Sequence, residues 1–287
     1  MTGIILGTAN LSNNYGLIRE KVESVDFYNG LIKSAIELGI NRFDTAIGYG
    51  NSEVTLGNAI ERKIGLKIDT KINPINFSHQ DEIVDEIRAS LQRLKIEQIE
   101  TIYIHDSSIL KTKKNDLVTS SLLEAKALGL VNKIGISIYE EDELNLIQTE
   151  FKIVNSIQVP ENICDRRLIN NPKLYELAEH GVELNVRSVF LQGLLTMNSN
   201  NLPSSLKSAY DSILSLEKFS RVNSISRVDI CIAYAKSIQW ATNIVIGTNS
   251  IQQLKQVLKS KKKLTSYLQD EIIKLPPDLV DPRKWIL

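Results

Sequence analysis

The sequence predicts an eight-stranded α/β barrel, and two observations support that prediction. Short apolar, β-branched segments alternate with longer stretches of helical periodicity along the whole chain, which is typical of β-α-β units whose helices cover a parallel sheet. Eight such pairs are present, and the 287 residues suffice for a closed barrel, which needs about 250. Eight repeats favour a closed barrel over an open parallel sheet.

The predicted strands are short, and each precedes a longer helical stretch. They cover Gly3 to Ala9, Arg42 to Ala46, Lys67 to Ile72, Thr101 to His105, Lys133 to Ser137, Ser156 to Val159, Glu183 to Ser188 and Asn243 to Ile246. The repeat continues without a Pro-, Gly- or Ser-rich linker, so a single domain over residues 1–287 is predicted.

Signals for helix ends support this division of the chain. Ser78 precedes two acidic residues and is predicted to be the N-cap of the third helix. Gly39, Gly129 and Gly181 each follow an apolar helical stretch, where a left-handed residue commonly ends a helix. These glycines are therefore predicted to terminate the first, fourth and sixth helices.

Bulk composition points to a small-molecule ligand. The 34 basic and 34 acidic residues cancel, so no general field favours nucleic acid or an anionic membrane surface. No basic leader and no run of roughly 20 apolar residues is present, so we expect a cytoplasmic protein that does not enter a membrane. Two cysteines and three scattered histidines do not form a disulfide framework or a metal site. The sequence carries no signal for an oligomeric state.

The open-sheet alternative lacks its usual nucleotide fingerprint. After the first strand the chain reads Gly7-Thr8-Ala9-Asn10, which is not a G-x-G-x-x-G turn. In a barrel, by contrast, active sites lie at the C-terminal ends of the strands. The polar residues at those ends are therefore the candidates for chemistry.

Four such residues follow three consecutive strands. Asp44 lies near the end of the second strand with Tyr49 in the loop behind it, and Lys71 and His105 end the third and fourth. A neighbouring ammonium is expected to lower the pKa of the Tyr49 phenol, and Asp44 would keep Lys71 charged. A neutral His105 could donate a hydrogen bond to a substrate oxygen.

Each of the four residues also has a purely structural interpretation. Tyr49 could be a packed loop aromatic and Asp44 a helix cap, Lys71 a solvated strand-end charge and His105 a backbone-bonded core residue. Their joint placement at one end of successive strands favours acid–base chemistry over the structural alternatives.

These residues lie in a segment that resembles the aldo-keto reductase family. Asp44-Thr45-Ala46-Ile47-Gly48-Tyr49-Gly50 is similar to the family pattern Asp-x-Ala-x-x-Tyr-Gly, and the resemblance continues through Ser52-Glu53, Leu56-Gly57, Thr70-Lys71 and Ile104-His105. It implies carbonyl reduction with a nicotinamide cofactor. Tyr49 would be the general acid, tuned by Lys71 and Asp44, and His105 would orient the carbonyl.

The resemblance also implies a cofactor site along the later strands. Ser137 and Gln158 would hold the nicotinamide carboxamide, although Ile138 stands where the family usually has Asn. Arg187 would stack on the nicotinamide through its flat guanidinium. Ser188, Leu191 and Gly193 would lie along the pyrophosphate.

The segment after the eighth strand resembles the family's phosphate-binding loop and helix. Its residues Gly247, Thr248, Asn249 and Gln253 would face the nucleotide, with Lys255 as a basic candidate. The expected cofactor is NADPH, with NADH as the rival because no Lys or Arg occupies the nearest positions.

Two other functions are compatible with these residues. Lys71 could be the Schiff-base lysine of a barrel aldolase, and the fold could serve as a cofactor-binding regulatory or sensor module. The loop from Asp106 to Asn115 and the tail from Pro276 to Leu287 are short, which predicts an open pocket for a small aldehyde, ketone or sugar.

Overall fold

A computed structural model describes residues 2–11, 16–17, 24–61, 63–260 and 270–285. Within them eight parallel strands close into a barrel in chain order, and the last strand pairs with the first. The strands are β1 (Gly3–Gly7), β2 (Arg42–Asp44), β3 (Lys67–Ile72), β4 (Ile99–Ile104), β5 (Val131–Ser137), β6 (Ser156–Pro160), β7 (Glu183–Arg187) and β8 (Asn243–Ile246). The predicted (β/α)8 TIM barrel is confirmed.

Helices surround the barrel between successive strands. They are α1 (Val25–Glu37), α2 (Ser52–Ile60), α3 (Gln80–Leu94), α4 (Asn115–Ala127), α5 (Asp142–Glu150), α6 (Pro172–Glu179), α7 (Tyr210–Asn223), α8 (Arg227–Ser237) and α9 (Ile251–Lys259). Gly39, Gly129 and Gly181 follow α1, α4 and α6 with φ of 92°, 74° and 81°. The predicted left-handed helix ends are therefore confirmed.

Several predicted boundaries are wrong by one or two residues. The N-cap of α3 is His79 instead of Ser78, because the backbone N–H groups of both residues donate to the Glu82 carboxylate and the helix begins at Gln80. β2 ends at Asp44, two residues earlier than predicted, because the chain turns there into the loop that carries Tyr49.

The side-chain alternation of β2 and β3 stacks two ion pairs inside the barrel. Arg42 lies beside Asp69 in the lower layer, and Asp44 lies beside Lys71 in the layer above. Residues two apart on a strand point to the same face, so each strand contributes one member to each pair. In the lower pair β2 contributes the cation and β3 the anion, whereas in the upper pair β2 contributes the anion and β3 the cation.

The lower pair belongs to a network at the N-terminal mouth of the barrel. The Arg42 guanidinium donates to Asp69 at 2.8 Å and to Glu183 at 2.5 Å. Burial raises the pKa of Asp69 to about 7, although the charge of Arg42 acts in the opposite direction. These contacts fill the bottom of the barrel, as expected of a face that contributes to stability.

None of the helices in the described ranges combines the length and apolar character needed to cross a bilayer. In the same ranges, His, Cys, Asp and Glu residues form no group of three or more that could hold a metal ion. Cys164 and Cys231 are buried free thiols.

We expect the Gly57→Ala substitution to destabilise the protein. A Cβ at Gly57 would lie 2.3 Å from the carbonyl oxygen of Arg93 and 2.8 Å from the carbonyl carbon of Leu94, where α2 crosses the end of α3. Overpacking against backbone should lower the free energy of unfolding by about 1–3 kcal/mol, as measured by chemical denaturation.

The matched control is Gly30→Ala in α1, where a Cβ meets nothing within 4 Å. Helix propensity predicts a gain of about 0.5–1 kcal/mol there. A Gly57→Ala protein as stable as the native one would contradict the close packing of α2 on α3.

Candidate active site

A cavity of about 690 Å³ opens at the C-terminal mouth of the barrel. Its volume falls within the roughly 300–1,000 Å³ typical of small-molecule sites. It is lined by all the site residues predicted from the sequence: Asp44, Tyr49, Lys71, His105, Ser137, Gln158, Arg187, Ser188, Leu191, Gly193, Gly247, Thr248, Asn249 and Gln253. Residues from seven strands and their following loops thus meet at one place.

The Lys71–Asp44 pair lies at the floor of this cavity. The two residues are 2% and 4% exposed, so both charges are buried. The Lys71 ammonium donates to one oxygen of Asp44 and, at 3.1 Å, to the carbonyl of Thr45, while the Gln158 amide donates to the other Asp44 oxygen. Because both ions have further hydrogen-bond partners, burial of the pair is compensated.

Tyr49 lies above this pair on a turn that is bound to the barrel. The backbone N–H of Ile47 donates to the carbonyl of Lys71 at 3.0 Å, which ties the loop to β3. The Lys71 ammonium is 5.4 Å from the centroid of the Tyr49 ring. His105 meets the same ring edge-on, with centroids 5.7 Å apart and an interplanar angle of 86°.

The pKa of Tyr49 is raised instead of lowered, so the prediction from the sequence was wrong. Burial is the largest cause, the charge of Asp44 and the proximity of Tyr139 add to it, and Arg187 acts in the opposite sense. Lys71 does not reverse the shift because Asp44 balances its charge. The phenol therefore keeps its proton at neutral pH.

His105 has a strongly depressed pKa. Burial lowers it to about 3, and the charges of Lys71 and Arg187 act in the same direction. The imidazole is therefore neutral over the physiological range, and one of its ring nitrogens carries a proton that it can donate.

Arg187 is held at the end of β7 by three neutral oxygens. It donates to the Ser137 hydroxyl at 3.2 Å, the Ser188 hydroxyl at 3.0 Å and the Ile138 carbonyl at 2.7 Å. Its guanidinium carbon lies 3.9 Å from the ring centroid of Tyr139. Since one guanidinium face covers Tyr139, only the opposite face could meet a nicotinamide ring.

The C-terminal tail supplies a contact that the sequence did not suggest. The guanidinium carbon of Arg283 lies 3.3 Å from the centroid of Tyr139. Two guanidinium groups at such distances would overlap on one face, so Arg187 and Arg283 must cover opposite faces of this ring. Pro282 and Arg283 line the cavity, and the short tail therefore reaches the pocket that was predicted to be open.

The loop after β7 has an unusual backbone. Ser188, Leu191 and Gln192 have positive φ of 62°, 45° and 53°, and Gly193 follows with 92°. Positive φ costs free energy in residues that carry a Cβ, and such strain clusters at ligand-binding segments. The sequence did not predict these left-handed conformations, because three of the four residues are not glycine.

Three buried polar atoms on the cavity wall have no hydrogen-bond partner in the described chain. They are Asn10 Oδ1, Gln158 Oε1 and Thr248 Oγ1. A buried polar atom without a partner costs about 1–3 kcal/mol, so these atoms mark positions where a polar ligand would be stabilised. Asn10 was missed from the sequence, whereas Gln158 and Thr248 were predicted. Lys255, the basic candidate, does not line the cavity.

Comparison with known proteins identifies relatives of this barrel. The profile of the Aldo/keto reductase family matches residues 3–274. D-arabinose 1-dehydrogenase of Saccharomyces cerevisiae is 24% identical over 94% of this chain and 90% of the yeast protein. The NADH-specific methylglyoxal reductase of Escherichia coli K12 is 30% identical over 58% of this chain and 57% of its own length.

Other methylglyoxal reductases show the same partial coverage. The enzyme of Escherichia coli O157:H7 is 30% identical over 53% of this chain and 58% of its own length. The chain thus matches a little over half the length of these reductases.

Solved structures support the same architecture. The holo form of an aldo-keto reductase from Bacillus halodurans superposes with a TM-score of 0.76 and 22% identity, covering 93% of this chain and 90% of that one. A glycerol dehydrogenase from Gluconobacter oxydans gives a TM-score of 0.69 at 21% identity, with 93% and 89% coverage. At such identities the likeness establishes the fold.

We expect His105 to stay neutral from pH 8 to pH 5. Its folded-state pKa of about 3 lies below the unfolded value, which is about 6.5. The stability contributed by neutral His105 is therefore present above about pH 6.5 and is lost as the pH falls from there towards 3. Between pH 7 and 5 the free energy of unfolding should fall more steeply in the native protein than in a His105→Gln variant.

The same expectation can be tested by NMR. The imidazole signals of His105, assigned by their loss in His105→Gln, should not move between pH 8 and 5. A titration with a midpoint near 6.5 would show that the imidazole is not desolvated.

Proposed function

The chain belongs to the aldo/keto reductase family of enzymes, and from this premise we propose that it reduces an aldehyde or ketone to an alcohol. Tyr49 would donate the proton and a nicotinamide dinucleotide the reducing equivalents. The observation that supports this most is a protonated phenol beside a buried Lys71–Asp44 pair and a neutral imidazole in one cavity. The relatives named for D-arabinose oxidation and methylglyoxal reduction act on substrates of the same kind.

The cavity wall fits a nicotinamide dinucleotide. A carboxamide offers both donors and an acceptor, which suits the unpartnered Gln158 Oε1 and the hydroxyl of Ser137. The strained segment from Ser188 to Gly193 would lie along the pyrophosphate, and Asn10 Oδ1 and Thr248 Oγ1 would receive polar groups in the next part of the cavity. When bound, the reduced nicotinamide supplies the hydride that the carbonyl carbon receives.

Tyr49 would supply the proton to the carbonyl oxygen. Its raised pKa keeps the proton on the phenol until the oxygen becomes basic, when the phenol O–H bond breaks and the alcohol O–H bond forms. The ammonium of Lys71, 5.4 Å from the ring centroid, would act in favour of the tyrosinate that this transfer leaves, whereas burial and the charge of Asp44 act against it and keep the pKa of Tyr49 raised. Asp44 keeps Lys71 charged for that purpose.

His105 would orient the substrate. As a neutral imidazole it can donate one hydrogen bond to the carbonyl oxygen without competing as the acid. The rings of His105 and Tyr49 are in edge-on contact, with centroids 5.7 Å apart, and we expect one substrate oxygen to receive hydrogen bonds from both residues.

The contacts of Lys71 argue against the Schiff-base alternative. An amine that attacks a carbonyl must be unprotonated. Lys71 instead donates to the Asp44 carboxylate and to the carbonyl of Thr45, contacts that stabilise the ammonium form.

We expect Tyr49→Phe to lower kcat by about 10²–10⁴-fold, because the variant lacks the positioned acid. Nucleotide binding should persist, since the ring remains. Tyr175→Phe is the matched control, because its hydroxyl, 3.4 Å from the carbonyl of Ile169, lies outside the cavity. The measurement is turnover of a reactive aldehyde, with binding followed by fluorescence titration.

Other outcomes would favour the rival functions. Full activity in Tyr49→Phe would remove this residue from its proposed role. Tight nucleotide binding by the native protein without turnover of a broad aldehyde and ketone panel would favour a sensor. A covalent adduct on Lys71 after borohydride trapping, without nucleotide binding, would favour an aldolase.

A further inference from the structure

One arm of the cavity is lined by the loop after β8 and by one face of α9. We call it the α9 arm; its side chains are Thr248, Asn249, Gln253, Gln256, Val257 and, from α8, Val228. A dinucleotide is much longer than its nicotinamide, and the nicotinamide must reach the carbonyl held by Tyr49 and His105. Under the proposed function, the adenosine half would therefore occupy the α9 arm.

Among the described residues, every side chain that lines the α9 arm is uncharged. In the part of the chain that the structure describes, the cations that line the cavity are Lys71, Arg187 and Arg283. Lys71 is bound to Asp44, Arg187 to oxygens of β5 and the loop after β7, and Arg283 to Asp281. All three cations are therefore already engaged by groups that lie outside the α9 arm.

Two basic residues near the α9 arm face elsewhere. Lys255 is two positions after Gln253 on α9, so the helix turns it by about 200° away from that residue, and its side chain is exposed outside the cavity. Arg227, which precedes Val228, donates to the carbonyl of Met197 and to Asn198 and lies 3.5 Å from Glu217.

Two of the backbone donors at the start of α9 are already used. The N–H of Gln253 donates to the Ser250 hydroxyl at 3.2 Å, and the N–H of Asn249 donates to Gln253 Oε1 at 2.8 Å. The side chain of Asn249 in turn accepts from Asn10 at 2.9 Å. Side chains of the protein thus satisfy donors that could otherwise bind an anion at this helix end.

A carboxylate lies two hydrogen bonds beyond these amides. The Gln256 amide donates to the Ser226 hydroxyl at 3.1 Å, and that hydroxyl donates to the Asp229 carboxylate at 2.7 Å. A carboxylate two hydrogen bonds from the α9 arm raises the free energy of a second anion placed there.

NADH and NADPH differ only at the adenosine ribose, where NADH has a 2′-hydroxyl and NADPH a 2′-phosphate. A phosphate placed among neutral side chains gains no charge-assisted hydrogen bond from a cation. A hydroxyl donates and accepts, as neutral amides do. We infer that the chain binds NADH in preference to NADPH, with Asn249 and Gln253 as the specificity-determining residues. This inference rests on the proposed function and reverses the order expected from the sequence.

The test is a fluorescence titration of the full chain with NADH and with NADPH at fixed ionic strength, without substrate. We expect NADH to bind at least about tenfold more tightly. Asn249→Arg should shift the ratio of the two Kd values towards NADPH by about tenfold or more, and this gain should weaken with added salt. If that variant does not fold, Gln253→Arg places a cation on the face of α9 that lines the cavity.

Lys255→Ala is the control, because this side chain lies outside the cavity and its loss should leave the ratio unchanged. Equal or tighter binding of NADPH by the native protein would overturn the inference, and so would a loss of NADPH affinity confined to Lys255→Ala. In both cases the proposed function would stand. Binding of neither nucleotide would overturn the proposed function and the inference together.

Discussion

The buried pair of Lys71 and Asp44 is the interaction on which the rest of the site depends. Two charges removed from water are tolerated only with close geometry and further hydrogen bonds. Adjacent β2 and β3 provide the geometry, and Thr45 and Gln158 provide the bonds. Because the two charges balance, burial dominates the pKa of Tyr49, and the phenol remains protonated in a place where a lone ammonium would have favoured its ionisation.

Charged and neutral side chains line different parts of the cavity. Charged groups lie where a carbonyl would react and where the tail closes the mouth, and neutral amides line the α9 arm. The Arg187 and Arg283 guanidinium groups on the two faces of Tyr139 join the end of β7 to the tail. In the same arrangement Arg187 donates a hydrogen bond to Ser137, so the tail is linked through Tyr139 and Arg187 to the end of β5.

Much of the site was predictable because parallel strands in a closed barrel deliver their C-terminal residues to one mouth. Asp44, Lys71 and His105 follow from that rule alone once the strands are located. Asn10, Tyr139 and Arg283 do not, because their places on the cavity wall depend on contacts between segments remote in sequence. The N-cap of α3 was predicted one residue too early because the backbone N–H groups of both Ser78 and His79 donate to Glu82, so the two positions have similar capping contacts.

The sequence by itself determined the alternation of strands and helices, the glycines that end helices and the polar residues at the strand ends, because periodicity, left-handed backbone and strand order are local properties. The tertiary structure alone decided the direction of the pKa of Tyr49, the tail's contact with Tyr139 and the position of Lys255 outside the cavity. Desolvation and charge balance depend on distances between side chains from different segments, and those distances exist only after the barrel has closed.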